Sequence, residues 1–322
     1  METVASPGLW AAFAALVIAA LVIDLWVMDR RSARTVTLKA AAVWSIVWIA
    51  LALAFAGAFW HWLDGTAGRE IANEKVAEYL TGYLIEKSLS VDNIFVFLML
   101  FTYFAVPSEN QRKVLVLGVL GAVILRIIMI LIGAWLISTF HWVLYIFGLF
   151  LLVTGVKMLV FADDKPDLEK NPVLRWMRGH LKVTPGFEGN HYWVYRDGAR
   201  WFTPLFLVLV LIAVTDVVFA VDSIPAIFAI TDDPFIVMTS NIFAVLGLRA
   251  LYFVLADLAD RFHLLVYGLG VILVFVGLKM LAVDFYKVPV GWSLGIVGAI
   301  LASAMVASLV FPPKSDASDA PK

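Results

Sequence analysis

The chain of 322 residues contains no cysteine. That excludes disulfides, thiolate metal sites, cysteine-held iron–sulfur clusters and any thiol redox cycle carried by the chain itself. Charge is scarce as well: Asp, Glu, Lys and Arg make up 15% of the residues, and 24 basic against 25 acidic side chains leave a net charge of −1. Soluble domains carry about a quarter charged residues, and a chain without a basic surplus offers no footprint for nucleic acid. Histidine occurs five times. His141 and His263 fall at helix starts and read as interfacial caps, while His61, His180 and His191 fall in loops, so no facing pair for a bis-histidine haem is expected. No Gly-rich phosphate loop, HExxH pattern or Ser/His/Asp set stands out, and an enzyme active site is not expected.

What the chain has in abundance is apolar sequence, 62% hydrophobic with a mean hydropathy of +0.93. The expected fold class is all-α, a polytopic transmembrane helical bundle. Since a spanning helix needs about 20 mostly apolar residues, nine segments qualify: Leu9 to Met28, Lys39 to Phe59, Val76 to Val106, Val114 to Ile137, His141 to Phe161, Phe202 to Ile230, Phe235 to Ala256, His263 to Val283 and Val290 to Phe311. The first lacks a basic stretch before it and is followed by Arg30, Arg31 and Arg34, so it reads as an anchored helix rather than a signal peptide. With nine spans, alternate loops hold sixteen and three Lys or Arg, which places the N-terminus outside and the C-terminus in the cytoplasm.

The corresponding domain division is 1–75, two N-terminal helices; 76–161, a three-helix unit; 162–201, a cytoplasmic loop; 202–283, a second three-helix unit; 284–311, a last helix; and 312–322, a disordered tail. The loop carries Trp176, Trp193 and Tyr195 among charges. It reads as a linker lying on lipid headgroups or as an amphipathic hairpin offering a docking site to a protein partner.

The two three-helix units are related in sequence. FHWVLYIFGLFLLVTGVKMLV from Phe140 aligns without gaps to FHLLVYGLGVILVFVGLKMLA from Phe262, with 9 identities in 21 positions. Ser90-Val91-Asp92-Asn93-Ile94 likewise matches Ala220-Val221-Asp222-Ser223-Ile224, and Leu125-Arg126 matches Leu248-Arg249. An odd number of spans per unit forces the second to enter the membrane from the opposite side, giving an inverted repeat with a pseudo-two-fold axis in the membrane plane. Gly148 with Gly155, and Gly270 with Gly277, lie seven residues apart and would let neighbouring helices approach closely.

Ionisable residues inside apolar spans mark pathways or buried pairs. Here Glu86, Lys87, Asp92 and Asn93 fall in the third segment, Asp216, Asp222 and Ser223 in the sixth, Asp24 in the first, Arg126 in the fourth and Arg249 in the seventh. A spacing of seven puts Glu86 with Asn93 on one helix face and Asp216 with Ser223 on another. Glu86, Asp92, Asn93, Asp216, Asp222 and Ser223 form the expected ligand set, and such hard oxygens suit Mg, Ca or Mn better than Cu or Zn. Five acids against Lys87, Arg126 and Arg249 leave two negative charges over, which suits a divalent cation or bound protons rather than pairing alone. Pro225 cannot donate to the Val221 carbonyl and is expected to break the sixth segment beside Asp222.

The strings GYLIEKSLSVDNIFVFLMLF from Gly82 and TDVVFAVDSIPAIFAIT from Thr215, with LGLRALYF from Leu246 and the GVKML and GLKML endings, resemble the TerC family of integral membrane proteins over nearly all of the membrane portion. The resemblance implies a family named for tellurium resistance, one branch of which is labelled a membrane-bound redox modulator and linked to alkaline pH, and other members of which are connected with manganese export. It implies that Glu86, Asp92, Asp216 and Asp222 are the motif acids, and a location in the inner membrane. Family members commonly carry a Glu where this chain has Ala213, a departure for which Asp24 is a candidate substitute. The expected function is Mn2+ export by alternating access, with Asp24, Arg126 and Arg249 as proton carrier or partners of the ligands, protons as a coupling ion and no covalent cofactor. The alternative is an accessory scaffold for redox, stress or tellurium handling, docking through the 162–201 loop.

Overall fold

Helix starts along the chain are set by proline in the first turn and by capping side chains, both of which suit positions whose amide protons have no intrahelical acceptor. The computed structural model describes residues 3–30, 38–140, 142–160, 168–196, 198–256, 264–286 and 288–311, without the side chains of 25–30, 91, 92 and 95. The expectations for His141, His263 and the tail 312–322 lie outside these residues. Helix α1 spans Pro7–Arg30, α2 Leu38–Thr66, α3 Arg69–Tyr103, α4 Ser108–Thr139 and α5 Val143–Val160. After a single 3₁₀ turn, the short α6 covers Pro172–His180, capped by Asn171. Strands β1 (Trp193–Arg196) and β2 (Ala199–Phe202) pair antiparallel as a hairpin. Helices α7 (Pro204–Phe228), α8 (Pro234–Val245, capped by Asp233), α9 (Leu248–Ala256), α10 (Leu265–Leu281) and α11 (Val290–Val310) complete the described chain.

The chain is all-α apart from that hairpin. Among the described residues, six helices are long and apolar enough to cross a membrane, or seven if the bent pair α8 and α9 is one span. The nine expected segments coincide with α1 to α5, α7, the α8–α9 pair, α10 and α11. Two of them fall short of the length and polarity that mark a span: α10 has 17 residues, and α3, at 35 residues, is long but carries the buried charges discussed below. Large apolar side chains stand outward on the spans, among them Ile18 on α1, Ile46 on α2, Leu131 on α4, Val153 on α5 and Val306 on α11. A surface of this kind is tolerated where lipid rather than water meets it.

Helices α5 and α10 pack against each other closely and antiparallel. A Cβ on Gly155 would lie 2.8 Å from the Gly270 carbonyl oxygen, and one on Gly277 would lie 2.8 Å from the Gly148 carbonyl oxygen. Gly148 thus faces Gly277 and Gly155 faces Gly270. The glycines permit backbone contact that any side chain would prevent.

The sixth segment is not broken where Pro225 led us to expect. Helix α7 runs continuously through Pro225 to Phe228, losing one hydrogen bond without ending. The break falls in the seventh segment instead, at Gly247, where φ is +83° and α8 and α9 meet at a bend of 43°. A left-handed backbone costs a residue with a Cβ about 1–2 kcal/mol, and Trp48 of α2 packs so tightly against Gly247 that an added Cβ would come within 2.6 Å of its ring. The 162–201 loop is folded over its described part: Leu168, Leu174 and Met177 are buried among Phe101, Leu205, Leu207 and Val208, and the buried Asn110 donates from Nδ2 to the Gly189 carbonyl at 3.0 Å.

Candidate functional site

Helix α3 has a polar face because Glu86, Ser90 and Asn93 recur at helical spacing within an apolar run, and all three are buried. Its partners are α4, α7 and α8. At the centre is Arg126 of α4, with no exposed surface. Its guanidinium donates from NH1 to Glu86 Oε1 and to Asn241 Oδ1, the latter at 2.8 Å, and NH2 lies 3.8 Å from Asp216 Oδ1. Asn241 of α8 closes the ring by donating from Nδ2 to Glu86 Oε2 at 3.2 Å. Four helices therefore converge on one buried node in which a single cation is shared by two carboxylates. Such pairs survive in low dielectric only when their remaining lone pairs and protons are hydrogen-bonded.

Satisfaction is incomplete next to the node. Among the described residues, Asn93 Oδ1 and Nδ2, Ser90 Oγ, Ser223 Oγ and Asp216 Oδ2 are buried without a hydrogen-bond partner. Buried polar groups in native structures are nearly always paired, and an orphan group commonly marks a site for water or an ion. Asn93 follows Asp92 on α3, and Ser223 follows Asp222 on α7, one helical step of about 100° round from each aspartate. Asp222 is half-buried and has an interaction partner; the side chain of Asp92 lies outside the described residues. Among the described residues, no three His, Asp or Glu side chains converge closely enough to enclose a metal ion.

The remaining expected residues go elsewhere. Arg249, at the start of α9, donates to Asp24 of α1, 2.7 Å from its carboxylate and 2.6 Å from its carbonyl. The two arginines that match in sequence therefore hold different carboxylates: Arg126 those of α3 and α7, Arg249 that of α1. Lys87 donates through its Nζ to the carbonyls of Ala244 and Leu246, at 3.1 and 3.4 Å, where the break after α8 leaves carbonyls without helical donors, and among the described residues no carboxylate is paired with it. Neither that role nor Asn241 was singled out in the sequence, although Thr239-Ser240-Asn241 is a polar triplet inside an apolar segment, and Gly247 beside it is a break signal.

The family model for the integral membrane protein TerC family matches residues 71–316. A protein of Escherichia coli (strain K12) named "Putative membrane-bound redox modulator Alx" is 56% identical over 306 residues, covering 95% of each chain. A protein of the same name from Photorhabdus laumondii is 52% identical, covering 95% of this chain and 96% of its own. An uncharacterized membrane protein of Myxococcus xanthus is 46% identical over the full length of both. No solved structure matches the chain.

Proposed function

The chain belongs to the TerC family of integral membrane proteins, and from that premise we propose that it is a cation transporter of the inner membrane that exports Mn2+ by alternating access. The observation that carries this reading is the set of orphan buried groups on Asn93, Ser223 and Asp216, the first two next in sequence to Asp92 and Asp222. Asp92 and Asp222 are the central ligands, with Asn93 and Ser223 oxygens completing the shell. These are hard donors of the kind Mn2+ takes, and carboxylate-rich oxygen sites disfavour softer metals. Glu86 and Asp216 share Arg126, and each proton or cation that reaches them competes with that guanidinium. They serve as proton carriers and gate rather than as permanent ligands.

Nine spans, six of them in two inverted three-helix units, with the N-terminus outside, fit the positions of the helices and the distribution of Lys and Arg. The reciprocal contacts Gly148–Gly277 and Gly155–Gly270 support the same reading, because a two-fold relation requires that residues matched by the repeat exchange partners in this way. The relatives' name speaks of redox modulation. A chain without cysteine carries no thiol couple of its own, so on our reading the redox effect follows from the metal content it sets. An accessory-scaffold role is favoured by one observation, the folded 168–203 module.

Mn2+ flux into inside-out vesicles, measured at two pH values, tests the proposal. Wild type is expected to accumulate Mn2+, and Asp92→Asn and Asp222→Asn to accumulate none while inserting and folding normally. Equal flux in wild type and Asp92→Asn would falsify the site assignment. Absence of flux from folded wild type would favour the scaffold, which further requires that deleting the module abolish the cellular phenotype while both substitutions leave it intact.

A further inference from the structure

An open cavity of about 650 Å³ lies where the 168–203 module meets the end of α3 and the start of α7. Its walls include Tyr103, Phe104, Val183, Phe187 and Leu207, and Arg178 of α6 stands at its edge. Arg178 is exposed and, among the described residues, has neither an ion pair nor a hydrogen bond, so its charge is unspent. The apolar walls and the lone cation are complementary to one kind of molecule, an amphiphile with an anionic head.

The height of the cavity points the same way. Helix α3 leaves its apolar stretch at Tyr103, and α7 enters its own at Pro204, so the cavity sits at the level where spans give way to headgroups. The hairpin beside it has the character of an interfacial element. Phe202, one residue before the N-cap of α7, pairs with Trp193, and Tyr195 pairs with Arg200. Trp193 is 46% and Tyr195 68% exposed, and the Arg200 guanidinium lies over both rings, at 5.4 and 5.6 Å. Exposed rings interleaved with cations suit the headgroup layer and no aqueous surface in particular. Arg175 and Lys182 add positive charge nearby, and the one described acid of the hairpin region, Glu188, is taken by Arg196.

We propose that this cavity seats an anionic phospholipid, with the headgroup phosphate on Arg178 and an acyl chain along the apolar walls toward α3 and α7. The site does not depend on what the protein transports. Its place does give it a consequence, because α3 carries Glu86, Asp92 and Asn93, and α7 carries Asp216, Asp222 and Ser223. A lipid wedged between the ends of these two helices fixes their separation, so the module reads membrane composition directly into the spacing of the buried site.

Thermal unfolding of the full chain in a neutral detergent, with lipid added, tests this. Phosphatidylglycerol is expected to raise the melting temperature of wild type with concentration, as a ligand of the native state must. Arg178→Gln should lose most of that rise, Arg178→Lys keep part of it, and Arg175→Gln, whose side chain does not line the cavity, keep all of it. The proposal is overturned if wild type shows no rise, if phosphatidylcholine stabilises as well as phosphatidylglycerol, or if glycerol 3-phosphate without acyl chains gives the full effect. It is equally overturned if Arg178→Gln responds like wild type, or if Arg175→Gln loses as much as Arg178→Gln, since a diffuse surface charge would then account for the binding.

Discussion

Replacing Arg126 by Met keeps an unbranched apolar stem but removes the guanidinium and its charge, which tests the part that this group plays in the buried node. In wild type the guanidinium is hydrogen-bonded to Glu86 and to Asn241 and lies 3.8 Å from Asp216. At an effective dielectric of about 20, a pair at that distance is worth about 4 kcal/mol before desolvation. The substitution therefore leaves two buried carboxylates facing each other without a cation. Removing one partner of a buried pair costs about 3–5 kcal/mol, and Arg126→Met is expected to lose at least that much unless one carboxyl takes up a proton. Arg126→Met/Glu86→Gln removes one of the stranded charges and should regain a part of the loss, giving a coupling of at least 1 kcal/mol in a double-mutant cycle. Reversible unfolding of detergent-solubilised protein at pH 7 reads both. If Arg126→Met stays within 1 kcal/mol of wild type, or if the double variant is simply the sum of the singles, Arg126 is not the charge centre that holds α3 and α7 together, and the reasoning fails.

Three further outcomes follow from single contacts. Gly155→Leu and Gly277→Leu should each destabilise by about 1–3 kcal/mol through overpacking, and by similar amounts, because their Cβ atoms meet reciprocal backbone contacts of the same tightness; thermal melts compare them. Lys87→Met should cost about 1–3 kcal/mol by leaving the carbonyls of Ala244 and Leu246 without their donor, and amide hydrogen exchange should quicken around residues 244–248 before it does elsewhere. Gly247→Ala should destabilise more than an alanine at any exposed glycine, since it combines a φ of +83° with a clash against Trp48; shortening Trp48 to Ala should remove only the ring's part of the clash, because the Cβ at position 48 stays 2.7 Å from the added one, and none of the backbone strain.

Hydropathy located every apolar helix because lipid contact demands apolar length, and nothing else in the sequence competes with that signal. The helix break was misplaced for a physical reason. Proline removes a single donor, which a well-packed helix such as α7 absorbs, whereas the glycine at 247 adopts a conformation that ends α8 outright. The partners of the buried charges were legible in part. Counting charges requires Lys87 to meet an acid, yet its Nζ is satisfied by the carbonyls that the misplaced break exposes. Asn241 went unremarked because, unlike Asn93 and Ser223, it follows no acid in the sequence, although it bonds both members of the Arg126–Glu86 pair. The loop 162–201 offered no periodic pattern strong enough to separate a linker from a folded hairpin, and the decision rests on burial of Leu174 and Met177, side chains indistinguishable in sequence from those of an interfacial helix.

The departures from symmetry carry as much information as the repeat. On the repeat reading, the first unit's middle helix, α4, is continuous and delivers Arg126 to the buried node. Its counterpart is split into α8 and α9, and the matching Arg249 is displaced toward α1, outside both units. The α8–α9 pair is held at both ends by the N-terminal segment: Asp233, the α8 cap, accepts from Thr3 Oγ1 and from the Val4 amide at 2.9 Å, both just before α1, and Arg249 of α9 holds Asp24 of α1. The family match begins at residue 71, so the N-terminal half of this clamp, Thr3, Val4 and Asp24, lies outside the shared family pattern, while Asp233 and Arg249 lie within it. On the transport reading, a bundle in which α4 is rigid and α8–α9 is hinged and strapped has its moving part in the second unit. The strap, by tying the hinged pair to α1, then limits how far α8 can carry Asn241 away from Glu86.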